Sequence, residues 1–212
     1  MDSANLTIDT SHVLREPARG GVAYPGLAAL PGVEQLGAFL AGRAPAPPVA
    51  RLTGRRIIEA SVGSATYALS ATDWMLGPKG FVHPGVLAFL GDAPLIATVI
   101  SALPSRVLCT TAELSMTFLH PVSSGGSEIT AHGQLLHLDA QMALAEVYVR
   151  DGHDRLAANG TSRCSVFPPI DPSIQLIPPC EPAASERSIS DPHLLEPPAH
   201  APRSCAKGCR RP

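Results

Sequence analysis

Residues 80–104, GFVHPGVLAFLGDAPLIATVISALP, decide how the rest of the chain is read. The stretch predicts one long apolar helix opening at Pro84, since a proline is tolerated in a first turn, where its missing N–H would have no partner anyway. Val86, Leu87, Phe89, Leu90, Leu95, Ile96, Val99 and Ile100 fall all round a 3.6-residue wheel and leave no broad polar face. A helix of that composition is buried on every side. The single ionisable group within it, Asp92, therefore stands where an unpaired carboxylate is costly and has to find donors or serve a purpose. Two plainer readings stand beside this one. The segment approaches the roughly 20 apolar residues of a membrane span, although Pro84, Asp92 and Pro94 interrupt it. Alternatively Gly91-Asp92-Ala93-Pro94 is a break, with Asp92 capping a second helical half ahead of a first-turn proline.

Working outward, both flanks read as strands. Residues 55–70 hold β-branched and aromatic residues in two runs about Val62-Gly63-Ser64, a strand, turn and strand. Residues 107–119 alternate Leu108, Thr110, Ala112, Leu114, Met116 and Phe118 against Cys109, Thr111, Glu113, Ser115 and Thr117, which predicts a strand with one buried face. Residues 120–127 form a turn by composition, and residues 128–138 resume an extended pattern with Ile129, Ala131, Gly133 and Leu135 on one side. The Val147-Tyr148-Val149 end settles residues 141–150 as strand, and after the turn at 151–154 a last strand runs over 155–167. Two strands, a buried helix and four strands make an α+β domain.

The domain is expected over residues 50–167. Before it, residues 1–32 read as a loosely held arm, residues 33–42 as a short amphipathic helix, and residues 43–54 as a linker too dense in proline for helix or ladder. After it, half of the 22 prolines lie from Pro168 onward among few large apolar groups, which predicts a disordered tail over 168–212. A net charge of −2 with 16% charged residues, and no basic cluster among the strands and helix, argues against nucleic acid. The N-terminus has an early Asp2 and no apolar run, and the five cysteines are an odd number without a paired framework. A reduced, cytoplasmic setting without a secretory signal is the expectation. Cys205 and Cys209 lack the spacing and companions of a zinc site. There is no G-x-S-x-G elbow, P-loop, dinucleotide fingerprint or HExxH, so neither a serine triad nor a cofactor or metal is implied.

Several signatures in order resemble the PaaI-like group of hotdog-fold acyl-CoA thioesterases. Gly80-Phe81-Val82-His83-Pro84-Gly85, with Asp92 nine residues after His83, is similar to the family's Gly-x-x-His-Gly-Gly turn and following acid. Thr111-Ala112-Glu113-Leu114, running to Leu119-His120-Pro121, resembles its T-x-E-L-x-x-x-x-L-x-P strand, and Leu156–Thr161 resembles its close. The resemblance implies a central helix wrapped by a curved antiparallel sheet of about six strands, in a homodimer or dimer of dimers with no membrane or nucleic-acid partner. It also implies hydrolysis of an acyl-CoA or related thioester in a tunnel shared by two subunits. Asp92 would activate water or act as nucleophile, with Thr111 bonding the acid. The helix start at His83, Pro84, Gly85 and Val86 would face the thioester carbonyl, with Trp74 and Phe81 near the tunnel mouth. No cofactor is implied beyond the coenzyme A of the substrate.

Three positions depart from the family. Pro84 stands where relatives place a polarising glycine N–H, Gly77 where many place an Asn or Gln that orients water, and Asp139-Ala140-Gln141 where a Gly-Arg pair often follows the fourth strand. The second reading is accordingly a weak or inactive hotdog module that binds acyl thioesters or mediates assembly. Dehydration of a hydroxyacyl thioester is disfavoured, because no second His/Asp dyad is present.

Overall fold

A computed structural model describes residues 26–125 and 128–169. The readings of residues 1–25 and of most of the tail, Cys205 and Cys209 included, lie outside the described residues. The elements are α1 (Gly32–Leu40), α2 (Pro48–Thr53), β1 (Arg56–Ser61), β2 (Ser64–Ser70), α3 (Pro84–Ala102), β3 (Leu108–Phe118), β4 (Glu128–Leu138), β5 (Met142–Arg150) and β6 (Leu156–Phe167). The six strands make one antiparallel sheet in the order β1-β2-β4-β5-β6-β3, so that β1 and β3 are its edges.

The apolar stretch forms the expected helix. α3 runs without interruption through Gly91-Asp92-Ala93-Pro94, so the reading of Asp92 as the cap of a second half is corrected. Leu90, Leu95 and Val99 are fully buried and share one core with Leu69 of β2, Ile129 and Ala131 of β4, and Val147 and Val149 of β5. The helix is long and apolar enough to cross a membrane by length and composition, but here the concave face of the sheet covers it. Its close seat depends on Gly133. A Cβ there would stand 2.7 Å from the carbonyl oxygen of Pro94 and 2.9 Å from Thr98 Oγ1.

Two sequence expectations need correction. Residues 43–54 are not helix-free, because α2 begins immediately after Pro47 and ends on Gly54 at φ +76°. Proline breaks a helix only where an N–H is needed. At the first position of α2 none is, and glycine takes the left-handed terminal conformation without strain. The second correction concerns β3. Thr111 pairs with Cys164, while Glu113 pairs with Arg163, so Ala112 is an extra residue, a β-bulge. Such a residue switches which side chains face inward. Cys109 and Thr111 therefore turn toward the helix in the first half of the strand, in place of Leu108 and Thr110, and Met116 does so in the second half.

α1 is not detached from the domain. It packs on α3 and β1, and the Gly32 N–H donates to the Leu103 carbonyl at 3.0 Å. Gly32 is obligatory at that crossing, since a Cβ would lie 1.6 Å from the Ile100 carbonyl oxygen.

Candidate active site

Asp92 is half-buried on α3 and accepts a hydrogen bond on Oδ1 from the Thr111 hydroxyl at 2.8 Å. The bulge at Ala112 makes this contact possible, because it sets Thr111 on the inner face of β3. A hydroxyl that donates to one oxygen holds the carboxylate in a fixed orientation. Oδ2 makes no hydrogen bond among the described residues, which leaves it available to a water or a substrate. Cys164, opposite Thr111, and Cys109 lie in the same wall. Burial pushes the Cys109 thiol up to about 12, with a further push from Cys164. Burial likewise raises Cys164, with the Asp92 charge adding to it. Both sulfurs therefore stay protonated near neutral pH and do not compete with water as nucleophiles.

The start of α3 forms a second group of candidate side chains. His83 is the N-cap residue, and its Nδ1 accepts the Gly85 N–H at 3.0 Å. The Val86 and Leu87 N–H groups point to the His83 carbonyl, at 2.8 and 3.4 Å. With Pro84 lacking an N–H, each of the first helical amides is absent or already engaged, although the end of the helix keeps its positive dipole. The same geometry fixes the ring of His83. Because Nδ1 accepts, the neutral imidazole carries its proton on Nε2, and that donor sits on an exposed side chain.

A groove of about 500 Å³ opens at this point, lined by Phe81, His83, Pro84, Leu87, Phe118 and Leu119, with Lys79 and His120 also on its wall. Of the residues singled out from sequence, His83, Pro84 and Phe81 meet in this groove, while Asp92 and Thr111 meet each other on the inner side of β3. Within one protomer the two groups do not share a cavity. Val86 packs against the core, and Trp74 is exposed and outside the groove lining. Gly77 lies beside the His83 ring, where an added Cβ would meet Cδ2 at an ordinary 3.6 Å. Lys79 was not singled out from sequence. Its only signal there was a lone cation beside the Gly-x-x-His turn. Among the described residues no group of three or more metal-ligating side chains occurs.

Restoring the missing amide tests this geometry. Pro84→Gly adds an unpaired N–H at the first helical position, so kcat for a thioester substrate is expected to rise. If the Nε2–H of His83 serves as the oxyanion donor, a His83→Ala variant loses about a hundredfold, the usual cost of one such donor, and regains part of it when Pro84→Gly is added. Steady-state assays of the single and double variants with a free-thiol reagent measure both effects.

Comparison with known proteins agrees with this architecture. A family model described as the thioesterase superfamily matches residues 79–158, from the groove through most of the sheet. No curated protein matches the chain. Among solved structures, the PaaI protein from the phenylacetic acid degradation operon of E. coli superposes with a TM-score of 0.57 at 19% identity, covering 65% of this chain and 95% of that one. A putative thioesterase related to phenylacetic acid degradation, from Ralstonia eutropha, gives a TM-score of 0.57 at 26% identity over 61% of this chain and 98% of that one. A thioesterase from Haemophilus influenzae gives 0.56 at 16% identity, covering 67% and 94% respectively. A six-stranded antiparallel sheet wrapped round one long helix is the hotdog fold, and within it residues 79–158 are similar to the thioesterase superfamily.

Proposed function

We propose that this chain hydrolyses an acyl-CoA or closely related acyl thioester to the free acid and thiol, acting as a homodimer. Two such subunits pair along the exposed edge of β3, where Leu114, Phe118 and Leu119 are uncovered. That pairing brings Asp92 and Thr111 of one protomer to the groove beside His83 of its partner, which answers the separation of the two groups within a single chain. The observation that carries the reading is the Thr111–Asp92 bond, an acid oriented by a neutral donor with its second oxygen unbonded.

In the proposed reaction Asp92 Oδ2 takes a proton from water as the water oxygen attacks the thioester carbonyl. Negative charge develops on the carbonyl oxygen, where the Nε2–H of His83 and the positive end of α3 stabilise it. The C–S bond then breaks, and the departing thiolate takes up the proton held by Asp92. Attack by Asp92 itself, through a mixed anhydride that water then cleaves, uses the same atoms. Phe81, Leu87 and Phe118 give the groove an apolar wall for the thioester, and Lys79 offers a cation to the phosphates of the carrier. Lys79→Ala is expected to raise KM for an acyl-CoA several-fold while leaving kcat near its starting value. A matching loss with a short N-acetylcysteamine thioester, which has no phosphates, would remove Lys79 from that role.

One observation favours the second reading, a module that binds thioesters without turning them over. Pro84 has no amide to offer, and the Gly85 amide is spent on His83. A panel of short, long and aromatic acyl-CoAs separates the two readings. Release of thiol that depends on Asp92 supports the hydrolase, and saturable binding without release supports the module.

A further inference from the structure

A cavity of about 310 Å³ lies between α1, the connection leading to α2, α2 itself and the start of β1, and it shares no lining residue with the groove at His83. Its walls combine apolar groups, with Phe39, Ala46, Pro47, Ile57 and Tyr67 prominent, and three arginines, Arg51, Arg55 and Arg56. Of these, Arg55 is unusually constrained. Its guanidinium carbon stands 4.3 Å from the centre of the Phe89 ring and 5.7 Å from that of Tyr67, while Nη1 donates to the Phe89 carbonyl at 3.1 Å. Nε is shielded from solvent and has no hydrogen-bond partner. Among the described residues no carboxylate lies within ion-pair distance of it, whereas its neighbour Arg56 is paired with Glu128.

An N–H withdrawn from water is costly unless an acceptor meets it, and in this half-buried guanidinium Nε is the shielded donor without one. Stacking on two rings compensates part of that cost and holds the group in one orientation. What the lining lacks is an anionic acceptor, and what it offers beside Arg55 is hydrocarbon and two further arginines, Arg51 and Arg56. Burial pulls the Arg55 pKa down, the Asp92 charge acts to hold it up, and the group remains a cation.

We propose that this cavity is a binding site for a small amphipathic carboxylate, its carboxyl on the Arg55 guanidinium and its aliphatic or aromatic body against Phe39, Ile57 and Tyr67. A carboxylate matches the planar donor fork of arginine, and the apolar walls select an organic acid over a bare inorganic anion. The acid released by the proposed hydrolysis belongs to the same chemical class. The binding site does not depend on that reaction.

Calorimetric titration of the full chain with octanoate and with 4-phenylbutyrate tests the assignment, with octanamide as the uncharged control. Saturable binding of at least one acid is expected, at least tenfold tighter than the amide and at least tenfold weaker in Arg55→Gln, with Arg55→Lys between. Ala46→Phe fills the cavity while leaving Arg55 itself unsubstituted, and it should abolish binding even if Arg55→Gln proves unstable. Absence of acid binding to the folded protein, equal affinity for the amide, or undiminished binding in Ala46→Phe would each overturn the proposal. Acyl-CoA turnover is measured on the same preparations. Turnover without acid binding sinks the cavity assignment alone, and acid binding without turnover sinks the hydrolase alone.

Discussion

Asp92→Asn is expected to lower kcat for the proposed acyl-CoA hydrolysis by at least about a hundredfold, the lower end of what a positioned general base contributes. The substitution isolates the proton chemistry from the structure. Asparagine is nearly isosteric, and its amide oxygen still accepts the Thr111 hydrogen bond at Oδ1. What disappears is the negative charge and the basicity of the second oxygen. Thermal stability should therefore change little and KM should stay within a few-fold, so the loss falls on kcat. Thr111→Val removes the orienting donor but leaves the carboxylate, and its effect should be smaller. Measuring thiol release and unfolding temperature on the same samples separates the two effects. Retention of more than a tenth of the starting rate by a folded Asp92→Asn protein would show that another group activates the water.

The second large effect concerns stability. Gly133→Ala is expected to cost about 3 kcal/mol, the upper part of the range for overpacking a tight core. The added methyl would meet the Pro94 carbonyl carbon at 2.8 Å and its oxygen at 2.7 Å, with Thr98 Oγ1 at 2.9 Å. None of these is the loose end of a flexible side chain. Two are helix backbone, and Thr98 is a fully buried β-branched residue. Relief would require α3 to lift from β4, opening the core at Leu95 and Ile129. Urea titration of the variant measures the loss. A cost below about 1 kcal/mol would show that helix and sheet can part at this crossing without disturbing the core.

The helix at the centre was legible because its apolar residues cover every direction of the wheel, a pattern that only a surrounded helix satisfies. The strands were legible for a related reason, since alternation and β-branched runs are local signals. The inward face of β3 was not. Ala112 becomes a bulge only because β6 supplies one fewer residue opposite it, and that count is a property of the pair rather than of either strand. The helix α2 was missed because the density of prolines in residues 43–54 hid the fact that Pro48 occupies a first turn.

The candidate site divides in the same way. Asp92 stood out because charge is rare in such a helix, and the resemblance to a known family suggested Thr111. The capture of the Gly85 amide by His83 is a detail of one helix cap, and no spacing rule contains it. Arg55 was read only as the first residue of a strand. Its isolation arises from Phe89, Tyr67 and α1, which lie far apart in the chain and converge only on folding.

The surplus alanine in β3 has a mechanical consequence. It lets one rim of the sheet serve two clients, the first half steering a hydroxyl onto the acid and the second leaving greasy side chains for a neighbour to cover. In the proposed dimer these duties are geared together: a partner that docked one residue out of phase would put the wrong side chains beside the acid and leave the pair assembled but inert.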